Sequence, residues 1–294
     1  MIDSSSLPRT FQDTITVAQE LDVSYIWIDS LCIIQDQEDD WARHAGQMDK
    51  IYENALFVVA AVSSSAGSVP FLGSDAPNNR HTYRAVNIKY TAKEDTGTDN
   101  SSVATRVRSL DPTTLPGWSL GPLEKRAWAL QERYCAVRII SFTEVEAKWD
   151  CKLREGCECY GELQSRSPYD DWQHPEPHDL DNEGTVILNK WRGIVAIYAS
   201  RDLSYNTDRL PAFAGIASRF HSVLQSNYIA GLWEVELPFN LAWYRRELTD
   251  CPTGMPLIPP SMENGVPTWS WASNYGTCYW PWDAYFPSFP INRH

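Results

Sequence analysis

The chain has 294 residues, 43% of them hydrophobic and 21% charged, which allows one large domain or two closely packed ones with a substantial apolar core. Its formal net charge of −13 argues against nucleic acid and anionic membrane surfaces as partners, because both are negatively charged. The sequence contains neither an apolar run of membrane-spanning length nor a signal peptide, so we expect a cytoplasmic protein.

The N-terminal part of the chain alternates helix and strand patterns. Apolar residues at helical spacing predict a helix over residues 9–22. Residues 24–34 are β-branched and aromatic, interrupted by Asp29, and predict a strand buried on both faces, as in a parallel sheet. The acidic sequence QDQEDD suits the first turn of a helix over residues 35–54, and residues 55–65 predict a second buried strand. We therefore predict an α/β fold with a parallel sheet flanked by helices.

A long loop-rich region separates this part from the later elements. Residues 73–122 are rich in turn-forming residues and predict an insertion, with one strand-like run over residues 83–92. A helix followed by sheet strands is predicted over residues 122–151, and a helical pair over residues 190–224. Residues 265–286 are aromatic with turn signals and predict short strands.

These patterns suggest a division of the chain near residue 160. We predict an α/β core over residues 1–160, which contains the insertion at about 73–122. Residues 161–294 are predicted to form a C-terminal extension, helical and then aromatic β in character, packed on the same domain.

Three residues around the first predicted strand are candidate catalytic groups. Asp29 and Cys32 belong to the strand pattern, and His44 belongs to the helix pattern that follows it. A thiol, an imidazole and a carboxylate can act as nucleophile, base and orienting acid. The structural alternative is that Cys32 is a small buried hydrophobe, that Asp29 caps or pairs, and that His44 lies on the surface.

A second candidate group lies in the sequence EKRAWALQERYCAVR. Arg126 and Arg133 could hold a carboxylate or a phosphate, and Glu132 could act as an acid or base. Trp128 and Glu132 are neighbours at helical spacing. In the structural alternative, which we favour, Arg126 forms a buried ion pair with Asp29. Glu132 would likewise pair with Arg133 or Arg138, and both pairs would lock the helix to the sheet.

The cysteines offer a further candidate site. Seven cysteines, an odd number in a chain too large to need disulfides, predict reduced thiols. Cys151, Cys157 and Cys159 could bind zinc with Cys135 or a histidine such as His174 or His178, but the paired C-x2-4-C spacing of structural zinc sites is absent. We therefore expect no metal site.

The C-terminal tail concentrates aromatic residues. In TWSWAS, strand alternation would place Trp269 and Trp271 on one face, either against the core or lining a cavity. An aromatic pocket for a planar or hydrophobic ligand and a dimer patch are the functional alternatives to a plain aromatic core.

Six fragments of the sequence together resemble a known family. They are LPRTFQDTITVAQELDVSYIWIDSLCIIQD, DWARHAGQMDKIYENALFVVAA, RAWALQERYCAVRIISF, DRLPAFAGIA, YIAGLWEVELPFNLAWYR and PTWSWAS. In this order, over nearly the whole chain, they resemble the fungal heterokaryon incompatibility (HET) domain family. The resemblance implies an α/β fold distantly similar to TIR domains and a role in non-self recognition that leads to programmed cell death. Because enzymatic TIR relatives cleave NAD with a helix-borne glutamate, it also implies NAD as a substrate or ligand.

The chain departs from the family pattern at two places. HET domains usually begin with a strand and tight turn similar to Y-x-x-L-S-Y-x-W-G, which does not precede the first helix here. They also commonly carry a glutamate three positions after the tryptophan of the DW helix, and that position is His44 here. If that glutamate corresponds to the TIR catalytic acid, His44 replaces its carboxylate.

Three functions follow as alternatives. The first is a HET protein of non-self recognition with NAD-directed activity. The second is an enzyme, such as a cyclase, lyase or hydrolase of secondary metabolism, that acts on a hydrophobic metabolite in an aromatic pocket. The third is a non-catalytic interaction module. The expected partner is a small molecule or a signalling protein, and a homo-oligomer is compatible with each.

The candidate residues can be stated as two sets. The candidate catalytic residues are His44, Asp29, Glu132 and Cys32. The candidate ligand-binding residues are Gln35, Trp41, Arg126, Trp128, Arg133, Trp269 and Trp271.

Overall fold

The computed structural model describes residues 3–73, 75, 84–94, 97–107, 121–158, 163–165, 185–245, 265–274 and 276–281. The helices are α1 (Arg9–Glu20), α2 (Asp29–Cys32), α3 (Glu38–Ala45), α4 (Met48–Asn54), α5 (Ala127–Cys135), α6 (Thr185–Ala199), α7 (Ala214–Leu224) and α8 (Leu237–Asn240). The strands are β1 (Val58–Ala60), β2 (Arg84–Glu94), β3 (Gly97–Val107), β4 (Arg138–Phe142), β5 (Ala147–Cys151), β6 (Arg154–Cys157), β7 (Gln164–Ser165), β8 (Tyr228–Ile229), β9 (Leu232–Trp233), β10 (Tyr244–Arg245) and β11 (Cys278–Tyr279).

The central sheet has five strands in the order β1-β4-β5-β6-β7. β1 and β4 run parallel, with Val58 opposite Ile139, whereas the other neighbouring pairs are antiparallel. The predicted α/β class is confirmed, and the sheet is mixed. β2 and β3 form a separate antiparallel hairpin inside the predicted insertion. The relation to TIR domains stays a prediction.

Helix α1 is fixed to the turn that follows β1. The carboxylate of Asp13 accepts the backbone N–H of Phe71 at 2.7 Å and of Leu72 at 3.0 Å. On the same helix Val17 and Ala18 are buried. This arrangement places α1 beside the start of the sheet.

The strand predicted over residues 24–34 is wrong. Residues 24–28 form neither a helix nor a strand, and Asp29 begins the short helix α2, where its carboxylate accepts the N–H of Ser30 at 2.7 Å. Tyr25 is 91% exposed. Apolar composition predicted a buried strand, but a strand needs a hydrogen-bonding neighbour, and among the described residues this segment has none.

The helix predicted over residues 35–54 is present as two helices. α3 ends at Ala45 and α4 begins at Met48, with Gly46 as the C-cap of α3. Glycine has a low helix propensity because its backbone loses the most freedom on folding, so it is a natural place for the break.

The main core lies in the C-terminal half and is aromatic. Trp191 of α6 contacts Phe213, Phe220 and Trp233 with ring centroids 5.1 Å apart. α6 and α7 confirm the predicted helical pair. α5 joins this core through Ala127, Leu130, Tyr134 and Cys135. The predicted boundary near residue 160 stays a prediction.

The strand predicted for TWSWAS is wrong. These residues form a turn and a short 3-10 helix, Trp271–Ser273, whose first turn is capped by the side chain of Ser270. Trp271 is fully buried, whereas Trp269 is 41% exposed, so the two rings do not share a face. Serine and asparagine compete for the backbone through local hydrogen bonds, and here they favour the turn.

The structure bears on two further expectations, the redox state of the cysteines and the presence of a membrane-spanning helix. Cys157 is disulfide-bonded, so the expectation of reduced thiols throughout is wrong; an odd cysteine count excludes complete pairing but not one disulfide. Cys32, Cys135, Cys151 and Cys278 are not disulfide-bonded. None of the described helices combines the length and the apolar character that a membrane span requires.

Candidate functional site

Two clefts meet at one group of polar side chains. The larger cleft, about 690 Å³, lies between residues 24–28 and β1, and the smaller, about 330 Å³, is lined by aromatic and acidic residues. Asp29, Arg126 and Glu132 line both clefts. We call these three residues, with Tyr52, the junction. Titratable groups that converge on a concave surface are the usual mark of a functional site.

Glu132 is the central group of the junction. It is half-buried on α5, and the hydroxyl of Tyr52 on α4 hydrogen-bonds to its carboxyl. Burial raises the pKa of Glu132 to about 7, and the negative charge of Asp29 adds to the increase, while Tyr52 and Arg126 act in the opposite direction. A carboxyl with this pKa exchanges its proton near neutral pH, as a general acid or base must.

Tyr52 is the hydrogen-bond donor of the junction. Burial raises its pKa well above the ordinary value, and the charge of Glu132 adds to the effect. The phenol therefore stays protonated at neutral pH and donates to Glu132. Its ring contacts Trp27 edge to face, with centroids 5.9 Å apart.

Arg126 supplies the positive charge of the junction. It lies immediately before α5, and its side chain is exposed and forms no ion pair with a described residue. The predicted buried pair of Arg126 with Asp29 is therefore absent, and Asp29 is itself exposed. An exposed guanidinium at the rim of a cleft is free to bind an anionic group.

Two perpendicular indole rings form a wall of the smaller cleft. Trp41 of α3 and Trp128 of α5 have ring centroids 6.3 Å apart at an interplanar angle of 87°. Trp128 donates its indole N–H to Asp208 at 3.2 Å. Asp202 and Asp208 also line this cleft. Aromatic faces beside carboxylates favour a cationic ligand.

Six predicted site residues lie outside the linings of both clefts, and the first three of them are His44, Gln35 and Cys32. His44 contacts the backbone oxygen of Asp40 through Nδ1 at 2.8 Å, and Gln35 donates to the backbone oxygen of Ile33 at 2.9 Å. Cys32 is exposed at the end of α2. The structure does not bring these three side chains to the junction.

The remaining candidates have structural contacts. Arg133 donates to Asp150 at 2.8 Å and so connects α5 to β5. Trp271 donates to the backbone oxygen of Gly231 at 2.7 Å inside the core, and the backbone of Trp269 accepts the indole N–H of Trp243 at 2.7 Å. Neither tryptophan lines the two clefts.

Two residues of the site were not predicted. Tyr52 follows Trp41 and Met48 at helical spacing in the sequence, which indicates only an apolar helix face, although a tyrosine on such a face needs a partner for its hydroxyl. Asp208 gave no signal, because it lies 80 positions from Trp128 in the sequence.

No group of three potential metal ligands is present among the described residues. Of the cysteines considered for zinc, Cys135 is buried and Cys157 is disulfide-bonded. Cys159, His174 and His178 lie outside the described residues.

Comparison with known families bears directly on the N-terminal part of the chain. Residues 1–132 match the family model for heterokaryon incompatibility protein (HET). These residues are a HET domain. Among curated proteins and among solved structures, no match was found. The HET domain contains the four junction residues and both indoles of the smaller cleft, and the match ends at Glu132. Asp208 and Asp202 are contributed from outside the match.

Proposed function

We propose that this HET protein acts in fungal non-self recognition and that its smaller cleft binds and cleaves NAD, with Glu132 as the reacting carboxylate. The observation that carries the proposal is the position of Glu132: a carboxyl with a pKa of about 7, held by Tyr52, at the wall shared by two clefts. Glu132 thereby supplies a carboxylate in place of the family glutamate, whose position in this chain is His44.

The lining of the smaller cleft supports a cationic aromatic ligand. The nicotinamide ring of NAD carries a positive charge, which the faces of Trp41 and Trp128 and the neighbouring carboxylates can stabilise. A volume of about 330 Å³ is at the lower end of ligand pockets and suits one half of a dinucleotide. Arg126 at the rim can bind a phosphate oxygen.

The reaction is hydrolysis of the bond between nicotinamide and ribose. The C1′–N1 bond breaks, and its electron pair neutralises the pyridinium nitrogen, so the leaving group needs no proton. Water adds to C1′ and gives its proton to the carboxylate of Glu132. The products are nicotinamide, ADP-ribose and one proton. Glu132 must be ionised for this step, and a bound cation favours its ionised form.

Purified full-length protein incubated with NAD is expected to release nicotinamide, measured by liquid chromatography. Glu53→Gln is the matched control for this assay, because Glu53 is exposed on α4 and pairs with Arg219 away from both clefts. This variant should release nicotinamide at the wild-type rate. Absence of release at high protein concentration would refute the proposed reaction.

A second candidate reaction is favoured by the same pKa. Near neutral pH about half of the Glu132 side chains carry a proton, so Glu132 could instead act as a general acid on a neutral, apolar metabolite. The two reactions have opposite pH profiles. NAD hydrolysis should accelerate as the pH rises through about 7, whereas general-acid catalysis should slow down.

A further inference from the structure

The indole ring of Trp128 is held by a residue from outside the HET domain. Trp128 donates its N–H to Oδ2 of Asp208 at 3.2 Å, across 80 positions of the sequence. The same ring lines the smaller cleft and stands nearly perpendicular to the ring of Trp41, at 87°. An indole has a single hydrogen-bond donor, so this bond restricts rotation of the ring. Asp208 therefore fixes the orientation of Trp128 in the wall of the cleft.

The segment that carries Asp208 is anchored on both sides. On one side Asp202 donates its backbone N–H to the oxygen of Lys125 at 2.7 Å and accepts the N–H of Ala127 at 2.9 Å. On the other side Arg209 is 2% exposed, and its backbone oxygen accepts the hydroxyl of a tyrosine on α6 at 2.6 Å. The carboxylate of Asp208 is thus supported by main-chain contacts before and after it.

The side chains that line the smaller cleft carry more negative than positive charge. Asp29, Asp202, Asp208 and Glu132 are acidic, and among the described residues of this lining Arg126 is the only basic one. Of the four acids, Asp208 alone is hydrogen-bonded to an indole among the described residues. The excess of carboxyl groups favours a cation even with the guanidinium at the rim.

We infer that Asp208 determines the preference of the smaller cleft for a positively charged ring and that it acts through Trp128. A carboxylate bonded to the indole N–H polarises the ring, which strengthens the attraction between the ring face and a cation. This role rests on the proposed function, which supplies the positively charged nicotinamide ring as the ligand. It adds a specificity-determining residue that lies 76 positions beyond Glu132, where the family match ends.

Binding of a non-reactive cation to the full-length protein tests this role. The probes are the cation N-methylnicotinamide, methylated on the ring nitrogen, and nicotinamide, which is neutral and similar in shape. Both dissociation constants are measured by NMR from the indole N–H signal of Trp128, identified by its absence in Trp128→Phe. Asp208→Asn keeps an acceptor for this N–H but removes the charge. Asp39→Asn is the matched control, because Asp39 is exposed and lines neither cleft.

The wild type and Asp39→Asn are expected to bind the cation more tightly than nicotinamide. Asp208→Asn should weaken binding of the cation about fivefold and change the dissociation constant of nicotinamide less than about twofold. Asp208→Ala should weaken binding of both probes and shift the indole N–H signal of Trp128 upfield, because the ring loses its acceptor.

Three results would overturn the role of Asp208. They are absence of cation binding to the wild type, unchanged cation binding in Asp208→Asn, and an equal loss for both probes in that variant, which would indicate a structural role only. Release of nicotinamide from NAD is measured separately. If the protein releases none but Asp208→Asn still weakens cation binding selectively, the proposed reaction fails and the role of Asp208 holds.

Discussion

Glu132→Gln is expected to lower the rate of nicotinamide release about 10²- to 10⁴-fold, the usual contribution of a general acid or base. Glutamine keeps the size of the side chain and can still accept the hydrogen bond from Tyr52. It cannot take a proton from water. The measurement is kcat with saturating NAD, compared with wild type and Glu53→Gln.

The pH dependence of folding stability distinguishes the loss of kcat in Glu132→Gln from unfolding of the variant. The pKa of Glu132 is about 7 in the folded protein and near 4.5 when unperturbed, so the unfolded chain loses the proton first as the pH rises. The wild type therefore loses stability between pH 4.5 and 7, on the order of 2 kcal/mol after allowance for solvent, and Glu132→Gln does not. The variant should be inactive but at least as stable at pH 8. Wild-type kcat in the variant would exclude Glu132 from the reaction.

Gly231→Ala is expected to destabilise the protein by about 2 to 4 kcal/mol. Gly231 has φ of +96°, a conformation that alanine rarely adopts. An added Cβ would lie 2.7 Å from Nε1 of Trp271, the same atom that donates to the backbone oxygen of Gly231. The strain and the displaced indole both act on the fully buried Trp271. The free energy of unfolding in urea gives the measurement.

Gly193→Ala is the matched control for this substitution. Gly193 lies within α6, has no positive φ, and an added Cβ would meet no atom within 4 Å. Alanine should stabilise the helix there by about 0.5 to 1 kcal/mol, because it lowers the entropy of the unfolded chain. Equal effects at the two glycines would contradict the packing described for Trp271.

Elements with a strong local pattern were predictable from the sequence. α1, α5, α6 and α7 follow helical spacing, and β4 follows a β-branched run. Residues 24–34 carry an equally strong strand pattern but have no described strand neighbour. A strand depends on partners distant in the sequence, and composition alone does not reveal whether they are present.

The candidate site was predictable in part. The sequence indicates Asp29, Trp128 and Glu132, because their side chains can exchange protons or bind a ligand and they lie near the ends of predicted elements. All three line the smaller cleft. His44 was chosen from a position in the family pattern, yet its ring bonds to its own helix at Asp40. Tyr52 was missed because sequence spacing describes the apolar face of a helix and not the partner that a hydroxyl finds across the fold.

The titration of Glu132 tests the central claim most directly. Protein labelled with ¹³C at the glutamate carboxyls gives a signal for Glu132, identified by its absence in Glu132→Gln. The account predicts a pKa of about 7 that falls when the cation N-methylnicotinamide is added. A pKa near 4.5 that does not respond to this cation would contradict the account.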